Sequence, residues 1–455
     1  MSISVEPSDT GITARELTTA RELANEKYVR DNLRRNYLGN YLHGMLGLTG
    51  FRLINAPTFL PAWLFQLSGS ADVVGLAVAL QYAGSIISPI LTGAKVQHHK
   101  KVIPLAMWMG GLGRLAVLAM AVAGWSLTNR EVAVRVPLLE HSLLIRPLVW
   151  TLLFCIFAVS VSLGAQRVLF SLVLSKVIPL NQRGRLQAWR NFTGGGLAAI
   201  LAYVAGRYFI GMNLLGNGYS TTFLFAFVIT SLGLSAFQLL VREPEATVTR
   251  SASPLINQIR EFPHLIGSNR DYALFLLVQM LISSARIAMP FYVIYAGRVV
   301  GGSGAMLGML SFAFLIADTG SNLLWGYLGD KTGFRLVLIA SVVAWAGATV
   351  MLITLHGSTP IVIAFAGLGA AQAGYNMASQ TMVLEFGEKQ DLAMRVAVSA
   401  TAEGLTATAG PLAGGLMVQA LGYSAVFGTS LGLLGCALLL LCLAAQDPRR
   451  QAHET

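Results

Sequence analysis

Charge is what this sequence has least of. Only 12% of its 455 residues are Asp, Glu, Lys or Arg, about half the share in an ordinary soluble domain. A water-exposed globular fold is thereby excluded for most of the chain. Cysteine is scarce as well. Cys155, Cys436 and Cys442 each sit in an apolar run, so they read as small buried hydrophobes and offer neither a disulfide framework nor metal-ligand spacing. There is no phosphate-cradling glycine loop, no paired-metal cluster and no Ser/His/Asp arrangement. The expectation is no enzyme, no cofactor, no metal site and no ATP-driven step. The short alternating segments of a membrane barrel are missing too. Residues 1–36 are polar and charged, so no cleaved signal peptide is expected.

What remains is long apolar sequence. Runs of 18 or more mostly apolar residues recur from Leu38 to Ala445, the signature of a helical membrane protein with many spans. Twelve helices are expected, at 38–66, 72–94, 101–125, 147–177, 184–210, 220–241, 270–298, 304–329, 335–356, 359–386, 392–420 and 423–446. Several exceed the ~20 residues that a bilayer requires, which implies tilt or extension beyond it.

The net charge of +11 does not argue for nucleic acid, because the bases lie in short loops where orientation explains them. With the N-terminus inside, 22 bases fall in inside segments, and only Arg130, Arg135, Arg146, Arg207 and Arg298 fall outside. This bias alternates through all twelve spans and puts both termini in the cytoplasm, with the chain in a cell (inner) membrane. Residues 13–37 read as a surface helix whose Arg34 and Arg35 meet anionic headgroups. The organisation is a cytoplasmic segment 1–37, a six-helix half 38–241, a cytoplasmic linker 242–269, a second half 270–446 and a tail 447–455.

The halves are worn copies. A shift of 233 residues carries Pro57 onto Pro290, Gly75 onto Gly308 and Gly93 onto Gly326. The fold class is an all-α membrane protein of twelve transmembrane helices in two six-helix parallel repeats, which is a transporter architecture.

Two motifs carry a family resemblance. GYLGDKTGFR at 326–335 closely resembles the major facilitator superfamily loop G-x-x-x-D-[RK]-x-G-[RK]-[RK], with Phe334 replacing one base. GLTATAGPLAGG at 404–415 is similar to the glycine-proline run of a late span in that family. The resemblance covers 38–446. It implies that Gly326, Asp330, Lys331, Gly333 and Arg335 form a cytoplasmic gate. Read physically, Gly326 and Gly329 let helix ends approach, Asp330 accepts hydrogen bonds, and Lys331 and Arg335 hold the loop inside. The other copy, GAKVQHHKK at 93–101, has Gln97 in place of the acid and lacks the second glycine. The stretches 179–185 and 387–395 read as further inside anchors. The family also implies a monomer, and a central cavity lined by the first and fourth spans of each half.

Seven charged side chains lie well inside spans: Arg52, Arg114, Arg167, Arg190, Arg286, Asp318 and Glu403. At about 2.5–3.5 kcal/mol each at a helix centre, they must face the bundle interior. Polar stripes accompany them. Gln279, Ser283 and Arg286 share a face, as do Ser311, Asp318 and Asn322, then Gln372, Asn376 and Ser379, then Ser399, Glu403 and Thr406, and Gln81, Ser85, Ser88 and Thr92. Helix packing through small residues is the plainer explanation for the serines, but not for Arg286 or Gln372.

Arg52 maps to position 285, one residue from Arg286, and guanidinium forks suit carboxylate and phosphate oxygens. In the family's organophosphate antiporter branch, paired arginines at such positions hold an anion. Arg52, Arg286, Arg167, Gln279, Gln372 and Asn376 are therefore the expected solute-binding residues. Asp318 and Glu403, the only deep carboxylates, are the expected proton-coupling groups, static ion pairing being the alternative role. The function expected is secondary active transport of a small solute, anionic or zwitterionic, by rocker-switch alternating access. A multidrug or lipophilic-cation efflux pump is the alternative. A copper importer using His43, Met45, Met107 and Met109 and a non-transporting receptor on the same scaffold rank below it.

Overall fold

In the computed structural model, residues 24–96, 101–128, 130–135, 142–244, 265–267, 269–386 and 392–443 are described. The chain crosses the bundle twelve times. Span one is Leu33–Asn55 continued by Phe59–Ser68, and span two is Ala71–Val96. Spans three to six are Ile103–Leu127, Pro147–Val177, Leu180–Val204 and Gly218–Leu240. Span seven is Arg270–Ser284 continued by Met289–Val300, and span eight is Gly304–Thr332. Spans nine to twelve are Phe334–Thr354, Ser358–Met382, Leu392–Leu421 and Tyr423–Leu443. Among the described residues nine of these are long and apolar enough to cross a membrane by length and composition. Spans one, five and eleven miss that test, and they carry Arg52, Arg190 and Glu403.

The expected helices occur with two instructive differences. Span one breaks at Ala56–Thr58, where Ala56 turns extended (ψ 140°) ahead of Pro57, because a proline ring disfavours helix in the residue before it. Span seven tightens into a 3-10 turn at Ala285–Ala288 before restarting with Pro290 in its first turn. The breaks fall at the two prolines related by the 233-residue shift. The second difference is a small antiparallel hairpin, Val132–Arg135 with Ser142–Ile145, in the connection between spans three and four. Most of the expected linker, and the 387–391 part of the second anchor, lie outside the described residues.

Polar residues start several helices. Asn269 accepts from the Tyr272 amide (3.0 Å) and Ser303 from the Met306 amide (3.2 Å). Within the first six spans, one packs on five and six, two on four, and three on four and six; within the last six, eight packs on ten, nine on ten and twelve, and seven on eleven and twelve. The groups meet along two seams, span two against eleven and span five against eight. One side of the bundle holds Leu33 and Leu443 and is called the terminal side below; the other is the far side.

On the far side the seams are tight. A side chain at Gly308 would collide with the backbone of Gly206, and one at Gly75 with the carbonyl of Pro411. These glycines are equivalent under the repeat, so the same small residue closes both seams. Gln419 donates to Ser70 across the seam at 3.1 Å, and the Arg298 guanidinium lies between the rings of Phe65 and Tyr423. On the terminal side the first six spans are clamped by Glu243. Its buried carboxylate accepts from the amides of Val102 (2.8 Å) and Ile103 (2.9 Å) at the start of span three and pairs with Lys176 at the end of span four (2.6 Å). A carboxylate at a helix N-terminus is favoured by the helix dipole.

Candidate functional site

The two proline breaks bring buried charge to mid-depth. Arg52 stands less than two turns before the break in span one and reaches across to span eight. Its guanidinium pairs with Asp318 (2.8 Å) and donates to the Thr319 hydroxyl (2.8 Å). A further cross-half bond joins Thr58 and Ser311 at 2.6 Å. Arg286 lies in the 3-10 turn of span seven; it touches Tyr82 of span two but finds its acid within its own half. It pairs with Glu403 (3.2 Å), donates to the Asn376 Oδ1 (3.2 Å) and lies 4.8 Å from the centre of the Tyr375 ring. Gln279 donates to the other oxygen of Glu403 (3.2 Å), and Ser399 donates to Gln279 (2.7 Å). Gln372 donates to the same Asn376 oxygen (3.1 Å). The polar stripes of spans seven, ten and eleven thus converge on one buried network, and both deep acids are held by an arginine.

Beside these pairs lies a cavity of about 550 Å³. It runs from Arg286, Met289 and Pro290 at mid-depth to His43, Leu174 and Gln187 toward the terminal side. Its wall is built mostly by the first half: Arg114, Gln166, Arg167, Arg190 and Asn191, with Gln81, Tyr82 and Ser85 from span two. Among the described residues no Asp or Glu lines it.

Of the residues expected to bind solute, Arg167 and Arg286 line this cavity. Arg52, Gln279, Gln372 and Asn376 are engaged in the two networks instead and are not part of its wall. Arg114, Arg190 and Tyr82 do line it. The first two were visible in the sequence only as bases in apolar runs; Tyr82 carried no signal beyond its place on the polar span two. His43 packs its ring against Phe170 (4.1 Å) and Phe237 (5.0 Å).

The expected gate loop sits on the terminal side. Gly333 takes φ +86°, a backbone conformation open to glycine, and Arg335 donates to the carbonyl of Leu441 (2.6 Å) at the end of span twelve. Lys331 lies over the Tyr327 ring and Asp330 is exposed. Gly329 presses on the Phe334 ring, which explains an aromatic in place of the family's base. The reading of Gly326 as a close-approach residue is corrected here: nothing lies within 4 Å of where its side chain would be.

Twelve spans in two packed groups of six, with a cavity between them, form the architecture on which alternating-access transporters are built. Residues 274–455 match the family model described as Major Facilitator Superfamily. Solved structures of similar fold include a variant of the nucleoside transporter NupG, at 12% identity and TM-score 0.70, covering 89% of this chain and 98% of that one. A D-xylose-proton symporter aligns at 15% identity and TM-score 0.69, covering 92% and 99%. A POT family transporter in complex with 5-aminolevulinic acid aligns at 11% and 0.63, covering 90% and 95%. No curated protein matches by sequence. The second half thus resembles that superfamily in sequence, and the chain as a whole shares the fold of these transporters.

Proposed function

We propose that this protein is a proton-coupled secondary transporter of a small anionic or zwitterionic solute. The observation that carries this reading is the contrast between a cavity wall with four arginines and no carboxylate, and two deep carboxylates each held by an arginine outside or at the edge of that wall. Cationic walls favour anionic solutes and disfavour lipophilic cations. The fold neighbours, which include a nucleoside transporter, a D-xylose-proton symporter and a POT family transporter in complex with 5-aminolevulinic acid, support a small polar cargo. The tight far side and the cavity reaching the terminal side correspond to an inward-facing state, with both termini cytoplasmic and the halves moving as two bodies about the paired seams.

Protonation of Asp318 removes the charge that holds Arg52 across the halves, and protonation of Glu403 frees Arg286 toward the cavity. Either event couples a proton to the rearrangement. The test is proteoliposome flux. An inward proton gradient should drive accumulation of an anionic solute from a panel, and Asp318→Asn should abolish that drive while leaving solute exchange intact. Exchange that ignores the proton gradient in the unaltered protein would overturn the coupling.

A further inference from the structure

The cations of the cavity wall are not evenly placed. Arg114, Arg167 and Arg190, with the His43 ring beside them, lie ten or eleven residues from the terminal-side ends of spans three, four, five and one, a common depth of about 15–17 Å at ~1.5 Å per residue. All four line the cavity. Their neighbours there are amides, Gln166 and Asn191, and apolar groups.

The hydrogen-bonding of His43, Arg114 and Arg190 is incomplete, while Arg167 is exposed. Arg114 is 3% exposed and donates to the carbonyls of Thr230 (2.8 Å) and Gly110 (2.7 Å) and to Gln166 (3.2 Å), yet its Nη2 is buried without a partner. The Nε of Arg190 and the Nε2 of His43 are buried and unpartnered as well. Arg190 is laid along Gly44, where a side chain would displace its guanidinium. Burying cationic donors without protein acceptors costs several kcal/mol, so this arrangement favours a ligand that supplies oxygens. A multi-oxygen anion does so.

We infer that spans one, three, four and five of the first half form a carboxylate- or phosphate-binding seat, with Arg167 and Arg190 as its clamp and Arg114 and His43 as its floor. The inference rests on the transport reading above and sharpens it. The anionic group of the solute docks on the first half alone, and Arg52 and Arg286 remain with their carboxylates while it does so. Arg286, at the other end of the cavity, is left to meet the remainder of the solute.

The test uses the full-length protein in detergent at fixed ionic strength. Arginine side chains are labelled with phenylglyoxal and read by mass spectrometry, with inorganic phosphate or succinate exchanged for chloride. Either anion should slow labelling of Arg167 and Arg190 and leave Arg207, an exposed arginine near the far-side end of span five, unchanged. Protection absent with both anions, or equal at Arg207, overturns the seat. Thermal-shift titration adds the variants. Arg190→Gln should raise the half-saturating anion concentration about tenfold, the value of one charge-assisted contact, whereas Arg52→Gln should not. The reverse pattern moves the seat to mid-depth and also overturns the inference. A protein that passes these tests but shows no proton-driven flux retains the seat and loses the coupling, so the two readings fail separately.

Discussion

Arg52 and Arg286 occupy nearly equivalent positions in the two halves, each close to an equivalent proline break, yet they do opposite work. Arg52 leaves its own half to pair with Asp318 and Thr319 of span eight. Arg286 takes its acid, Glu403, and Asn376 from its own half, and across the halves meets the neutral Tyr82. The difference lies in where the acids are. The second half holds both deep carboxylates and the first holds none, so the first-half arginine has to reach across. A duplicated scaffold has become one half that carries its own compensating charge and one that depends on its partner, or on a ligand, for it.

The largest effect should come from breaking the self-contained pair. The Arg286 side chain is only 6% exposed and Glu403 25%. Removing one partner of such a pair leaves an uncompensated charge, at a cost of about 3 kcal/mol or more. Arg286→Gln should therefore lower the thermal midpoint in detergent by several degrees, and adding Glu403→Gln should restore most of the loss. An unchanged midpoint in the single variant would mean that the pair is no structural anchor.

The cross-half pair should behave differently. Arg52 is more exposed than Arg286, at 24% against 6%, although Asp318 is more buried than Glu403, and Arg52 keeps Thr319 when the acid is neutralised. Asp318→Asn should cost less stability than Arg286→Gln, which also removes the contacts with Asn376 and Tyr375, but it should weaken one of the links between the halves. The conformational balance should then move toward the state open on the far side. In a cysteine-free background, a cysteine at Ser70, which meets Gln419 across the closed seam, should label faster in Asp318→Asn than in Glu403→Gln. Equal labelling would erase the distinction between the two pairs.

Much of this was legible in the sequence. Twelve spans followed from apolar run length and the alternation of basic loops, because a bilayer imposes both. The repeat pointed to Pro57 and Pro290, and the cost of charge in lipid singled out the seven ionisable groups within spans. Pairing was not legible. Which acid meets which arginine depends on rotations of whole helices about their axes, and no spacing within one span encodes that. Arg52, Gln279, Gln372 and Asn376 were correctly read as inward-facing, but inward residues divide between cavity wall and buried network, a division made by neighbouring helices. Glu243 was hidden for a related reason. It looks like a linker acid until span three's amides are brought beside it.

The smallest effect concerns the loop at 326–335, where two glycines of one motif have unlike surroundings. Gly329 is pressed by the Phe334 ring, and Gly326 faces open space. On local grounds Gly326→Ala should stabilise by about 0.5–1 kcal/mol, since alanine loses less backbone entropy in a helix, and Gly329→Ala should destabilise by displacing Phe334. Transport separates this from the family's use of the loop. If Gly326 is a contact of the opposite, far-side-open state, Gly326→Ala will raise the thermal midpoint and still slow flux, because it favours the state seen here over the one that must follow. If flux and midpoint rise together, Gly326 has no partner in either state, and the gating work of the motif rests on the Arg335 bond to the end of span twelve.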